Sequence, residues 1–172
     1  TKYLNKKGIR YENAPGCNAN SVVEYILSCL SILTETHRID WGEISVGIVG
    51  FGNVGSLLAK RLEKLGISYK AYDPLLDEKF QQQASLTSFE EVLACDIVSL
   101  HVPLTIDGDY PTFHMINEQV LSQMRPEQVL INTCRGAVIN NEHLSTHLKK
   151  DDRFTAILDV WENEPFINTT LA

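Results

Sequence analysis

The chain has 172 residues, 44% hydrophobic and 22% charged, with a formal net charge of −7. This is enough for one domain with a good core, and it excludes a disordered or low-complexity chain. The negative balance, with no clustered Lys/Arg run, argues against a nucleic-acid partner.

Taken in chain order, the first helical signal is Ser21-Val-Val-Glu24. A serine followed three residues later by glutamate satisfies two orphan backbone N–H groups, so a helix is predicted from there to about Thr36. Its apolar positions surround more than one stripe, which predicts packing on two sides. The stretch Val22 to Leu33 is interrupted by Glu24, Ser28 and Ser31 and is too short to cross a bilayer, so no membrane partner is expected. His37 falls near the helix end, where a positive charge would complement the dipole. After Trp41-Gly42 the pattern changes to short apolar runs alternating with helical stretches. Strands are predicted at 46–49, 68–72, 97–100, 129–131 and 155–158, and helices at 54–65, 89–94, 118–124 and 142–149. Such interleaving is what an α/β domain with a parallel sheet and crossover helices requires. There is no internal repeat and no low-complexity linker.

The four cysteines, Cys17, Cys29, Cys95 and Cys134, are widely spaced without a C-x-x-C pair. Neither a disulfide framework nor a zinc knuckle is indicated, and a reducing cytoplasm is the expected location. No signal peptide or lipidation motif is present in a chain that opens at Thr1.

The strongest chemical signal is Gly50-Phe-Gly52-Asn-Val-Gly55, placed directly after one predicted strand and opening a helix. The first glycine permits the turn, the second lets backbone approach a pyrophosphate, and the third lets helix and strand pack closely. The helix start then offers N–H groups and the positive end of a dipole to phosphate. The next strand ends at Asp73, near the spacing at which an acid reaches the adenosine ribose and repels the extra phosphate of NADP. Together these predict a Rossmann-type doubly wound parallel sheet, with helices on both faces, that binds NAD. The plainer alternative is a glycine-rich turn without a ligand, Asp73 merely starting a turn before Pro74.

Arg135 follows the strand 129–131, and Asp159 follows the strand 155–158. Ligands of open parallel sheets gather beyond those carboxyl ends. A guanidinium matches a carboxylate in two parallel hydrogen bonds, so Arg135 suits a 2-hydroxy or 2-oxo acid. Hydride transfer also needs a general base near neutrality, which points to a histidine held by a carboxylate. Glu162 and Glu164, in Trp161-Glu-Asn-Glu-Pro165, are the candidate carboxylates. Taken singly, a surface ion pair for Arg135 and a solvated turn for the glutamates are the blander readings.

Several stretches resemble the D-isomer-specific 2-hydroxyacid dehydrogenases: GIVGFGNVG, HVPLT, INTCRGAV and LDVWENEP, with NAPGCNA and VVEY before them. The last two, with Asp107-Gly-Asp-Tyr-Pro-Thr-Phe-His114, narrow the resemblance to a subfamily that acts on a phosphorylated 2-hydroxy acid. The resemblance implies that Arg135 binds the substrate carboxylate and that Glu164 partners the catalytic histidine, leaving Glu162 a neighbour. It also implies that Asn53 and Val54 meet the pyrophosphate and Asp73 the ribose. Val102, Thr133 and Cys134 would follow the cofactor's remaining length, and Asp159 would hold the carboxamide. Position 102 is often threonine in the subfamily, so the valine removes one possible side-chain hydrogen bond.

The family's catalytic histidine lies downstream of the glutamate, beyond Ala172. The five histidines present do not replace it. His101 ends a strand, and His114 sits in the subfamily-like loop. His143 and His147 stand one helical turn apart without a third ligand, which reads as a solvated helix face rather than a metal site. The resemblance implies a cofactor domain of a larger enzyme, with 1–20 leading in from a substrate domain, 21–36 an interdomain helix and 44–172 the Rossmann core. Such a fragment is expected to bind NAD without turnover, and the complete protein to be a homodimer. Two alternatives stand beside this: a family enzyme for 3-phosphoglycerate, glyoxylate or lactate, and a non-enzymatic NAD(H) sensor that binds a partner protein. An S-adenosylmethionine domain is disfavoured by the full glycine motif and by Arg135.

Overall fold

In the computed structural model, which describes residues 2–37, 40–76, 86–167 and 171, the apolar runs form five strands. These are β1 (Ser45–Val49), β2 (Ser68–Tyr72), β3 (Ile97–Leu100), β4 (Val129–Asn132) and β5 (Thr155–Leu158). They pair in the order β2-β1-β3-β4-β5, every pair parallel. Every residue of β3 and β4 is buried. Strands covered on both faces read as unbroken apolar runs, which is how they appear in the sequence.

The register sets the geometry of everything that follows. Val49 pairs with Tyr72 and with Leu100, Leu100 pairs with Asn132, and Asn132 pairs with Leu158. The strands therefore end level, and the residues after them, Gly50, Asp73, His101, Thr133 and Asp159, share one edge. Winding reverses between β1 and β3, the position at which such sheets leave a crevice.

The helices are α1 (Lys2–Lys6), α2 (Ala19–His37), α3 (Asn53–Leu65), α4 (Phe89–Leu93), α5 (Glu118–Leu121) and α6 (Asn141–Lys150), with a 3-10 turn at Gly136–Val138. One face of the sheet packs Ile48, Ile97 and Ile131 against Ile26 and Leu30 of α2 and Leu58 and Leu62 of α3. The opposite face packs Val49, Val98 and Leu130 against Val92 of α4, Leu121 of α5 and Leu144 of α6. Adjacent residues of a strand thus serve opposite layers, as the pleat requires. Each fully buried leucine contributes about 2 kcal/mol.

Two predicted boundaries move by more than one residue. The helix α2 starts at Ala19, before Ser21, because the backbone turns at Gly16 with φ of 79°. The Ala19 N–H then donates to Gly16 and the Val22 N–H to Asn18. Ser21 is thereby inside the helix and exposed rather than at its cap. Nor is α2 packed on two sides within the described residues. Val23, Ile26, Leu30 and Leu33 are buried, whereas Tyr25 and Ile32 are exposed, because the sheet and α3 lie on one side only. The helix backbone reaches His37, whose side chain lies outside the described residues. The helix α5 ends at Leu121, and the chain after it continues in tighter turns, the Gln123 N–H donating to the Val120 carbonyl and the Met124 N–H to the Leu121 carbonyl at 3.1 Å each. Among the described residues no helix is long and apolar enough to cross a membrane, and the four cysteines are free.

Candidate functional site

The chain leaves β1 through Gly50, whose φ of 93° is closed to most side chains. Its N–H donates to the Tyr72 carbonyl at 2.8 Å. A Cβ at Gly55 would stand 2.1 Å from the Gly50 carbonyl oxygen, so this glycine lets α3 sit directly on the turn. At Gly52 the opposite holds, since a Cβ there would meet nothing within 4 Å. Gly52 lines a cleft, and its missing side chain leaves room for a ligand.

Gly52 precedes α3 without a side-chain cap, and the first helical bond is Ser56 N–H to the Gly52 carbonyl at 3.0 Å. The N–H groups of Asn53, Val54 and Gly55 are therefore without intrahelical partners, at the positive end of the helix dipole. The lead-in turn comes close to this point, since a Cβ on Gly16 would lie 2.9 Å from Asn53 Cγ.

Asp73 braces the glycine loop from the next strand. Its Oδ2 accepts the Phe51 N–H at 2.8 Å and its Oδ1 accepts the Leu75 N–H at 3.0 Å. Carboxylate oxygens have further lone pairs, so ribose hydroxyls can still bond there. The cleft between Asp73, Gly52 and the chain after β3 has a volume of about 450 Å³ and is bordered by Tyr72, Phe89, Val102, Tyr110 and Met115. Its outer wall is closed by Thr112, whose hydroxyl donates to the Pro103 carbonyl at 2.6 Å and accepts the Thr105 N–H at 2.8 Å. His101 borders the same cleft, 2.9 Å from the Ser99 hydroxyl, and burial pushes its pKa down to about 4. It is a neutral imidazole at pH 7.

At the end of β4, the Asn132 side chain shapes the turn. Its Oδ1 accepts the Cys134 N–H at 3.1 Å, and its Nδ2 donates to the Arg135 carbonyl at 3.0 Å. Burial pushes the Cys134 thiol up, against backbone hydrogen bonding from Val102 and Arg135, so it stays protonated. Thr133 Oγ1 is buried and finds no hydrogen-bond partner among the described residues. Arg135 is exposed, and its Nη1 donates to the Cys134 carbonyl at 2.6 Å. No ion pair to Arg135 occurs among the described residues.

Asp159 is exposed, and its N–H donates to the Asn132 carbonyl at 3.0 Å. Glu164 is also exposed, with Oε1 accepting the Trp161 N–H at 2.7 Å. Gly50, Gly52, Asp73 and Val102 border the cleft itself. Thr133, Cys134, Arg135, Asp159 and Glu164 stand outside it, at or beyond the ends of β4 and β5. Sequence reasoning missed the pairing of Glu162 with His114, 2.5 Å apart, and the aromatic lining at Tyr72, Phe89 and Tyr110. The lining shows no spacing of its own: Tyr72 ends β2, Phe89 starts α4 and Tyr110 lies in the loop after β3. No group of three potential metal ligands occurs among the described residues.

A dinucleotide fits what is present. The unpaired helix N–H groups, the open space at Gly52 and the orphaned Thr133 hydroxyl lie along the edge where the strands end level.

Residues 34–172 match the family described as D-isomer specific 2-hydroxyacid dehydrogenase, NAD binding domain. The erythronate-4-phosphate dehydrogenase of Hahella chejuensis is 48% identical over 170 residues, covering 99% of this chain and 44% of that protein. The D-lactate dehydrogenase of Lactobacillus jensenii, solved with NAD+, has the same fold, with a TM-score of 0.77 at 22% identity over 95% of this chain and 54% of that one. The D-lactate dehydrogenase of Aquifex aeolicus, solved with NAD and lactic acid, aligns at a TM-score of 0.72 and 29% identity, again over 95% and 54% of the two chains. This chain spans less than half the length of the curated relatives it matches.

Proposed function

Because this chain belongs to the D-isomer-specific 2-hydroxyacid dehydrogenases, through their NAD-binding domain, we propose that it serves an erythronate-4-phosphate dehydrogenase. The complete protein oxidises 4-phosphoerythronate at C2 to the 2-oxo acid, as a step of pyridoxal phosphate synthesis. NAD, when bound, supplies the hydride acceptor. Asn53, Val54 and the glycines Gly50, Gly52 and Gly55 receive the pyrophosphate. Asp73 takes the adenosine ribose, Val102, Thr133 and Cys134 border the length between, and Asp159 takes the carboxamide.

Arg135 carries this reading. It is an exposed guanidinium at the end of β4, without an ion-pair partner among the described residues, on the edge that also ends at Gly50 and Asp73. Its fork holds the substrate carboxylate. Glu164 orients the histidine that takes the hydroxyl proton, and that histidine and the groups selecting the substrate phosphate lie outside these 172 residues. In the same reading, residues 1–20 lead in from the substrate domain, the helix read at 21–36 joins the two domains, and 44–172 form the core. The complete protein is a cytoplasmic homodimer, and this chain alone binds NAD without turnover.

The test is NADH formation by the complete protein offered 4-phosphoerythronate, 3-phosphoglycerate, D-lactate and D-glycerate in parallel. A marked preference for 4-phosphoerythronate supports the assignment, and preference for another acid replaces the substrate. Bound NAD without turnover of any of them replaces the enzyme with an NAD-responsive binding module.

A further inference from the structure

His114 adopts a left-handed backbone conformation, φ 50°, and stacks on Phe113 with ring centroids 3.9 Å apart. Its N–H donates to the Ala137 carbonyl at 2.8 Å. Both ring nitrogens are engaged. Asn140 caps α6 by accepting the His143 N–H on its Oδ1 at 3.0 Å, which leaves its Nδ2 to donate to His114 Nδ1 at 3.2 Å. Nδ1 is thus an acceptor, and the ring hydrogen lies on Nε2, from which it reaches Glu162 Oε1 at 2.5 Å. The other Glu162 oxygen accepts the Asn141 N–H at 3.2 Å, and the Glu162 N–H donates to Asn141 Oδ1 at 3.3 Å. The two side chains are 27% and 16% exposed, shielded enough for the bond to hold its geometry.

The segment that begins with Arg135 lies between these contacts. Gly136 is covered by the backbone of Trp161, whose carbonyl carbon and oxygen would both lie 2.0 Å from an added Cβ. The next residue, Ala137, accepts from His114. Trp161 in turn holds Glu164 through its N–H. One side of the Arg135 segment is thus fixed to residue 114 and the other to residues 161 and 162, and the His114–Glu162 bond joins the two. Neither side chain borders the cofactor cleft.

We propose that His114 and Glu162 are positioning residues that set Arg135 and Glu164 relative to each other from behind the site. This rests on the functional reading above, and the pair acts on substrate turnover rather than on NAD. Four variants of the complete protein test it: Glu162→Gln, His114→Phe, which keeps the ring stack and loses the donor, the double variant, and His114→Gln, which restores a donor. The expected result is a fall in kcat/KM for the hydroxy acid of about 10- to 100-fold in each of the first two, since small misplacements at a distance have effects of that size. NADH affinity stays within about twofold, the double variant is no worse than the poorer single one, and His114→Gln recovers most of the loss. Amide hydrogen exchange is expected to quicken at 135–138 and 159–164 and to stay unchanged in β1 and β3. Unchanged kcat/KM, a parallel fall in NADH affinity, or additive losses would overturn the proposal. Wild-type protein inactive on every acid removes the functional reading instead. The exchange measurement then decides, and unaltered exchange at 135–138 and 159–164 overturns the positioning role.

Discussion

Arg135 presents its guanidinium at the protein surface, while its own carbonyl is held by Asn132 Nδ2 and its neighbour Gly136 is packed under the Trp161 backbone. A fixed backbone under a guanidinium that has no carboxylate partner among the described residues is an arrangement for receiving a planar anion. In the complete protein, Arg135→Lys keeps the charge and loses the fork. The expected fall in kcat/KM for the hydroxy acid is about 100-fold, the size of about 2–3 kcal/mol for hydrogen bonds to a charged group. NADH affinity stays within about twofold, as titration of NADH fluorescence checks; an equal loss in both would assign Arg135 to the cofactor instead. The sequence announced Arg135 because a charge after an apolar run is conspicuous, and it announced the glycines because backbone approach dictates their spacing. Glu162 looked like one more polar residue in a turn. Its partner is 48 residues away, and no local pattern encodes a contact made across two loops.

Among the elements, two S-x-x-E patterns had different fates. Ser88 and Glu91 form a complete capping box on α4, while Ser21 and Glu24 lie inside α2. The difference is the turn at Gly16, which starts α2 early and supplies its first N–H groups with carbonyl partners. A cap pattern states where a helix is able to begin, and the preceding chain decides whether it already has. The same element-level logic separates the glycines of the motif. Gly52→Ala meets no atom within 4 Å and is expected to change stability by no more than about 1 kcal/mol, the range of cap substitutions, while weakening NADH binding at least tenfold. Gly55→Ala drives a Cβ into the Gly50 carbonyl and is expected to lower stability by about 1–3 kcal/mol as well as binding. Urea denaturation alongside NADH titration checks both, and a destabilised Gly52→Ala protein with intact binding would reverse the assignment.

For the molecule as a whole, stability should follow pH through His101. Its folded pKa of about 4 lies below the ordinary value of 6.5, so between those values the unfolded chain binds a proton that the folded one does not. Stability is then complete above pH 6.5 and is lost as pH falls toward 4, by on the order of 3 kcal/mol. His147, pushed down by burial and by Lys150, adds in the same direction. Asp96 is held low by Ser45 and Arg125 against the opposing effect of burial, so the stability it contributes is fully present above its ordinary value of 3.8 and is lost only below it. Urea unfolding at pH 7, 6, 5 and 4.5 is expected to show the decline, and His101→Asn to flatten most of it; an unchanged slope would remove His101 as its source. The parallel sheet, the glycine turn, the acid after β2 and the arginine after β4 are legible in residue order, because strand burial on both faces and backbone approach to phosphate each impose a local pattern. The folded chain settles three further matters: β5 is half-exposed along its length, α2 buries one face, and His114 reaches Glu162. Those outcomes depend on which segments meet in space, and residue order within any one of them carries no record of the meeting.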